Sequence, residues 1–120
     1  MLRLRLKNDI QRGFHEGRRH YSPAVVLHAR RREPGELLPP LPRLAVIAGR
    51  RFPNAVARNR ARRLLREACR LALAGASAPW DLILVARPQL LTLSPQARRQ
   101  AVADLLGQAG ALPGEAVAIV

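Results

Sequence analysis

The sequence of 120 residues predicts a single α+β domain, and three observations support this fold class. Short apolar runs typical of buried strands alternate with longer segments in which apolar residues recur at helical spacing. Stretches rich in proline and glycine separate these segments, most clearly at 34–42. The chain length matches one domain with one modest core.

Three segments are predicted to be strands. Residues 24–29 are rich in β-branched side chains, and 43–48 and 81–86 contain runs that are almost wholly apolar. Strands of this kind need cover on a face, so we expect helices to pack against the sheet.

Two helices are predicted in the first two thirds of the chain. The first covers residues 9–16, with a start at 8–11 that resembles a capping box and with Gly17 at its end. The second begins after the N-cap residue Asn54 and extends to Ala74.

A third helix is predicted to begin at the N-cap Ser94, followed by a proline, and to end at Gly110. The domain is therefore assigned to residues 1–110. Residues 111–120 are predicted to be either an extra strand or a disordered tail.

The formal net charge of +13 comes from 21 Lys and Arg residues against 8 Asp and Glu residues. Lys7 is the only lysine. Arginine binds phosphate through a planar, bidentate fork, which favours nucleic acid over a membrane as the partner. A GC-rich genome would explain part of the arginine preference but not the net charge.

Several other classes of protein are excluded by the same sequence. No apolar run approaches the roughly 18 residues of a membrane span, and residues 1–7 alternate charged and apolar side chains. The protein is therefore expected in the cytoplasm. Cys69 is the single cysteine, so no intrachain disulfide is possible, and His15, His20 and His28 fit no metal-ligand spacing.

The second predicted helix has one apolar side and one strongly basic side. The apolar side, expected to face the core, consists of Ala57, Ala61, Leu64, Leu65, Ala68, Leu71 and Ala72. The opposite side carries Arg58, Asn59, Arg60, Arg62, Arg63, Arg66 and Arg70, with Arg50 and Arg51 preceding the helix.

An ordinary solvent-exposed helix face mixes acids with bases, because oppositely charged residues four apart add about 0.2 to 0.5 kcal/mol. Here Glu67 is the only acid between Arg50 and Arg70. Like charges four apart cost similar amounts, and Arg58 and Arg60 lie near a positive helix N-terminus. These penalties indicate a ligand that supplies the missing negative charge, and a phosphate backbone fits.

Residues 54–68 resemble the signature of the ribonuclease P protein component family. The resemblance rests on Arg-Asn-Arg at 58–60, a basic pair at 62–63 and a further arginine at Arg66. The layout around this motif is also similar, including Ala-Arg-Pro at 86–88. The resemblance covers nearly the whole chain before residue 111.

The resemblance implies a compact αβββαβα sandwich of a small sheet with helices, of the ribosomal protein S5 domain 2-like type. It also implies a left-handed βαβ crossover through the arginine-rich helix. General rules would predict the opposite hand, because right-handed crossovers are overwhelmingly preferred.

The resemblance further implies a subunit of an endoribonuclease whose catalytic centre lies in its RNA. The expected partners are the ribonuclease P RNA, in a 1:1 complex, and precursor transfer RNA, whose 5′ leader is removed. Magnesium ions are expected to be bound mainly by the RNA subunit and none by the protein alone. The predicted RNA-subunit-binding residues are Arg50, Arg51, Arg58, Asn59, Arg60, Arg62, Arg63, Arg66 and Arg70.

The leader is expected to bind in a cleft between the first helix and the sheet, formed by Ile10, Phe14, Val26 and His28. Phe14 matches the aromatic lining that is usual in the family, although a phenylalanine here could also belong to the core. Ile10 and His28 occupy positions where aromatic residues are common. Stacking on bases is therefore expected to be weaker, or to use the imidazole ring of His28.

Three alternatives are open. A ribosomal protein or RNA chaperone would be equally basic but would bind many RNAs with little dependence on a leader. A helix-turn-helix protein would need polar base-reading residues along residues 55–70, where Asn59 is the only such side chain. A protein nuclease would need a catalytic cluster, whereas the eight acids are scattered along the sequence.

Overall fold

The computed structural model describes residues 2–4, 7–36, 41–76 and 78–112. The question of a strand or a tail at 113–120 falls outside these residues, whereas Ala111 is buried and packs in the core. In chain order the elements are β1 (Leu2–Arg3), α1 (Lys7–Glu16), β2 (Arg18–Tyr21), β3 (Val25–Arg31), β4 (Arg43–Ala48), α2 (Ala55–Ala72), β5 (Trp80–Ala86), a 3₁₀ helix (Pro88–Thr92) and α3 (Pro95–Ala109).

The five strands form one mixed sheet in the order β1-β4-β5-β3-β2. β4 lies parallel to both of its neighbours, whereas β3 lies antiparallel to β5 and to β2. α2 connects the parallel neighbours β4 and β5. The predicted α+β class is confirmed, and the left hand of this crossover stays a prediction.

The sheet has two different sides, because side chains alternate between the faces of a strand. α2 and α3 pack on one side, where Leu27, Leu84 and Leu65 belong to the main core. The opposite side carries a smaller cluster that includes Ile83, and Ile10 of α1 packs against it. No helix among the described residues is long and apolar enough to cross a membrane.

Asp81, at the start of β5, has no exposed surface and binds three arginines. Arg43 of β4 grips both carboxylate oxygens, with Nε 2.8 Å from Oδ1 and Nη2 2.7 Å from Oδ2. Arg30 Nη1 of β3 lies 3.0 Å from Oδ2, and Arg32 Nη1 lies 2.7 Å from Oδ1. Burial alone would raise the pKa of Asp81, but the hydrogen bonds from Arg43 and Arg32 outweigh it and hold the pKa below its usual value.

The same ion network attaches α1 to the sheet. Arg43 Nη1 lies 3.1 Å from Asp9 Oδ2, and Arg30 Nε lies 2.8 Å from Glu16 Oε2, so both ends of α1 are held. Between these two ends, Gly13 allows α1 to lie close to the sheet, because a Cβ at this position would lie only 2.6 Å from Ile83 Cδ1 of β5. The network is formed by four bases and four acids: Arg12, Arg30, Arg32, Arg43, Asp9, Glu16, Glu36 and Asp81.

In each of the first two helices, one end differs from the prediction and the other agrees with it. α1 begins at Lys7, so Asn8 lies inside the helix and the capping-box-like pattern does not mark its start. α2 begins as predicted, with Asn54 Oδ1 accepting a hydrogen bond from the Ala57 backbone N–H at 2.8 Å. It ends at Ala72 instead of Ala74, because the next residue already forms the C-cap.

The third helix is confirmed at both ends. Ser94 Oγ accepts a hydrogen bond from the Ala97 backbone N–H at 3.1 Å, and Pro95 is the first helical residue. Gly110 forms the C-cap with a φ of 77°, a left-handed conformation that glycine adopts without steric cost.

The strand predictions are confirmed in position but not in every boundary. β4 has the predicted bounds, β5 gains Trp80, and β3 runs from Val25 to Arg31. β1 and β2 were not predicted from the residues themselves. β2 is Arg-Arg-His-Tyr, with only one apolar ring and no apolar run that could mark a strand.

The predicted apolar side of α2 is correct except at its C-terminal end. Ala61, Leu65 and Ala68 are buried as expected. Leu71 was expected in the core but is 43 % exposed, and Cys69 is buried in its place. The helix therefore presents a slightly rotated face to the sheet at its last turn. Burial raises the pKa of the Cys69 thiol to about 12.

Replacing Asp81 with Asn should lower the free energy of unfolding by about 3 to 5 kcal/mol, because buried arginines lose their counter-charge. Urea unfolding measures this effect. Asp104→Asn is the matched control, since Asp104 is exposed and accepts a hydrogen bond from Gln100, and it should change stability by at most about 0.5 kcal/mol. Equal effects of the two substitutions would contradict the assigned role of Asp81.

Candidate nucleic-acid interface

A cavity of about 590 Å³ opens on the side of the sheet that α1 partly covers. The floor of the cavity is formed by the paired strands β3 and β5. Val26 lies opposite Val85 in this pairing, and His28 lies opposite Ile83. The described lining residues include four arginines and no acid. They are Arg19, Val26, His28, Gly49, Arg50, Arg51, Val85, Ala86 and Arg87.

The predicted leader-binding residues lie on this side of the sheet but do not all line the cavity. Val26 and His28 form part of its lining. Phe14 is 39 % exposed, and its ring packs edge-on against His28 with 4.7 Å between the ring centroids. Ile10 instead packs against the small apolar cluster around Ile83 and helps to hold α1 on the sheet.

His28 is only partly buried, and it lies opposite Arg19 of β2 in the sheet. Burial lowers the pKa of His28 below its usual value of 6.5, and the positive charge of Arg19, which lies opposite it in register, lowers the pKa further. The imidazole is therefore mostly neutral at pH 7, and a neutral ring of this kind can stack on a base.

The basic side of α2 lies on the opposite side of the sheet and faces away from it. Asn59, Arg60, Arg63 and Arg66 are exposed, while Arg58 and Arg62 are partly buried. Arg62 donates a hydrogen bond to Asn59. Arg70 is the exception, because its Nη2 already lies 2.6 Å from Glu67 Oε1. Among the described residues, the other arginines of this face form no ion pair with an acid.

Arg50 and Arg51 lie in the segment between β4 and α2. The sequence predicts that they bind the RNA subunit together with the basic side of α2, and in the structure they line the cavity on the other side of the sheet. The segment from Gly49 to Asn54 carries the chain from the end of β4 to the start of α2. Arg50 and Arg51 therefore belong to the cavity lining, although they lie only a few residues before α2 in the chain.

Two arginines of the cavity, Arg19 and Arg87, are not among the site residues that the sequence predicts. Arg19 lies on β2, which carries no apolar run, and Arg87 directly follows β5. A signal for Arg87 was present, since a polar residue after a buried strand often lies at the functional edge of a sheet. No comparable signal existed for Arg19, because its position depends on the pairing of β2 with β3.

Comparison with known proteins decides the family. The family model described as Ribonuclease P matches residues 1–110. The chain belongs to the ribonuclease P protein family. A ribonuclease P protein component from Symbiobacterium thermophilum is 33 % identical over 113 residues, which cover 94 % of this chain and 95 % of the relative. One from Ruegeria pomeroyi is 38 % identical over 86 residues, or 71 % of this chain and 66 % of the relative.

Solved structures of ribonuclease P proteins share the fold. The protein from Staphylococcus aureus superposes with a TM-score of 0.78 at 20 % identity, covering 93 % of this chain and 98 % of that one. The protein from Thermotoga maritima gives a TM-score of 0.73 at 23 % identity, covering 90 % of this chain and 97 % of that one. The predicted family and fold class are thus both confirmed.

The lowered pKa of His28 predicts a pH-dependent stability for this ribonuclease P protein. Between the lowered folded pKa and 6.5, the unfolded chain binds more protons than the folded one. The free energy of unfolding should therefore fall as the pH drops through this window, and His28→Phe should make the fall shallower. Denaturant unfolding across the window measures both slopes. Identical slopes for the wild-type protein and for His28→Phe would show that the pKa of His28 is not lowered in the folded state.

Proposed function

We propose that this chain is the protein subunit of the ribonuclease P ribonucleoprotein and promotes endonucleolytic removal of the 5′ leader from precursor transfer RNA. The basic side of α2 carries the proposal, because its arginines have few acidic partners and its sequence has the family motif. The partners in this proposal are one ribonuclease P RNA and the precursor, and the reaction takes place in the cytoplasm.

The two surfaces have separate roles in this proposal. The basic side of α2 binds the RNA subunit, with guanidinium groups opposite its phosphates. The cavity beside α1 binds the single-stranded leader, where Phe14 and His28 offer rings to bases and Arg50 and Arg51 bind phosphates. Mature transfer RNA lacks the leader, so the cavity stabilises the precursor complex selectively.

The catalytic centre is assigned to the RNA subunit, together with its magnesium ions. Magnesium needs free oxygen ligands, but the carboxylates of Asp9, Glu16, Glu36 and Asp81 are bonded to arginines. Among the described residues, no group of three or more His, Cys, Asp or Glu side chains is placed to hold a metal ion. The protein contributes positive charge, which relieves repulsion between the RNA subunit and its substrate.

The deciding experiment is multiple-turnover cleavage of 5′-labelled precursor transfer RNA by a bacterial ribonuclease P RNA at low magnesium concentration. Cleavage at the mature 5′ end should require both the RNA and this protein. No stimulation, combined with tight binding to unrelated RNAs, would favour a ribosomal protein or an RNA chaperone. Cleavage by the protein without any RNA subunit would favour a protein nuclease.

Binding to the RNA subunit should depend strongly on salt. If about five arginines neutralise phosphates, the logarithm of the affinity should fall with the logarithm of the salt concentration with a slope near −3.5, or roughly −0.7 per contact. The double substitution Arg58→Ala with Arg62→Ala should weaken binding and make the slope shallower by about 1.4. A filter-binding titration at several salt concentrations measures both.

The matched control for this double substitution is Arg3→Ala with Arg99→Ala, which removes the same charge from exposed positions on β1 and α3. The control should change the slope much less. A salt-independent affinity of the unsubstituted protein, or equal slopes for the two double variants, would refute the role of the basic side of α2.

Phe14→Ala should mainly reduce the preference for precursor over mature transfer RNA. The ring of Phe14 packs against His28 in the proposed leader site, and a stacked base is worth about 1 to 3 kcal/mol. Affinities of the assembled holoenzyme for the two RNAs give this preference. If Phe14→Ala and the Arg58, Arg62 double substitution have indistinguishable effects on both partners, the two-surface assignment is wrong.

A further inference from the structure

Tyr21 is an exposed aromatic residue at the rim of the cavity. It is the only tyrosine of the chain, it ends the edge strand β2, and it is 55 % exposed. In the sheet it lies directly opposite Val26, which lines the cavity. Residues opposite each other on antiparallel strands project to the same face, so Tyr21 extends the cavity floor outward to the sheet edge.

Two of the cavity arginines lie close to this ring. The guanidinium carbons of Arg19 and Arg87 are 5.8 Å and 5.6 Å from the ring centroid of Tyr21, within the range of a cation–π contact. Both arginines also line the cavity. The cationic lining and the exposed ring are thus one continuous surface.

Strand propensity alone explains a tyrosine on an edge strand, because aromatic residues are common in strands. It does not explain the charges. Two guanidinium groups near one ring repel each other, and neither Arg19 nor Arg87 forms an ion pair with an acid among the described residues. An aromatic ring close to two cations that have no acidic partner in the described part of the chain favours a ligand that has both a flat π-face and negative charge.

We propose that Tyr21 is an additional base-stacking position for the single-stranded leader, with Arg19 and Arg87 binding the phosphates on either side of the stacked nucleotide. This inference rests on the proposed function and extends the leader site beyond Phe14 and His28 to the β2 edge. A duplex cannot use this position, because its base faces are already stacked on each other. The contact tolerates any base, since every base has a π-face.

The test compares Tyr21 variants in the assembled holoenzyme, using precursors with a long leader and with a leader of a single nucleotide. Tyr21→Ala should weaken binding of the long-leader precursor by about 5-fold to 150-fold, which corresponds to about 1 to 3 kcal/mol for one stacked base. The same variant should leave binding of the single-nucleotide precursor unchanged. Tyr21→Phe should retain wild-type affinity for both, because it keeps the ring.

The matched control is Leu71→Ala, which removes an exposed apolar side chain from α2 and should leave the long-to-short affinity ratio unchanged. Equal loss on both precursors with Tyr21→Ala would overturn the inference, as would a Tyr21→Phe loss as large as that of alanine. These outcomes would refute only the role of Tyr21, because the wild-type protein would still stimulate cleavage by the ribonuclease P RNA. If the proposed function itself is wrong, the wild-type protein should not stimulate cleavage at all.

Photo-crosslinking gives a second measurement that does not depend on cleavage. A single-stranded RNA oligonucleotide carrying 5-iodouridine should crosslink to the free wild-type protein at Tyr21, and mass spectrometry identifies the site without ambiguity because the chain has one tyrosine. An oligonucleotide that binds and crosslinks elsewhere, with no adduct on Tyr21, would overturn the inference.

Discussion

The binding of three arginines by the buried carboxylate of Asp81 is the interaction on which the rest of the structure depends. It joins β5 to β4 through Arg43 and to β3 through Arg30. Asp9 and Glu16 continue the network to both ends of α1. The position of α1 over the sheet, and with it the contact between Phe14 and His28, therefore depends on charge pairing as well as on apolar packing.

The network also determines how charge is distributed over the molecule. It combines equal numbers of acids and arginines, so the whole net charge of +13 is carried by the remaining residues. Four of the eight acids form ion pairs within this network. The network lies near the start of β5, whereas the cavity arginines lie near its end, and the basic side of α2 lies on the other side of the sheet. Because these four acids pair with arginines of the network, few acids remain to offset the positive charge of the two candidate surfaces.

The elements that could be predicted from sequence are those whose signals are local. β4 is a short apolar run, and α3 has a serine cap, a first-turn proline and a terminal glycine, all within a few residues of the boundary that each one marks. The basic side of α2 is likewise visible in its spacing. β2 has no such signal, because its place in the sheet depends on pairing with β3.

The ion network and the arginines that line the cavity could not be predicted from the sequence, for a related reason. The partners of Asp81 lie 38 to 51 residues away along the chain, so the acids appear scattered in the sequence. Arg50 and Arg51 were assigned to α2 by proximity in sequence, and only the path of the turn after β4 places them at the cavity. By contrast, the ion pair between Arg70 and Glu67 could have been predicted from the sequence, because residues three apart on a helix are neighbours.

The crowding of arginines on α2 has a consequence for the lifetime of the protein in a cell. Self-repulsion along this helix weakens the folded state whenever no polyanion is bound, and occupancy by one stabilises the fold by mass action. Copies that have not assembled open more often and are more accessible to proteases than assembled ones. Binding of a polyanion to this helix face is therefore expected to protect the folded protein from proteolysis.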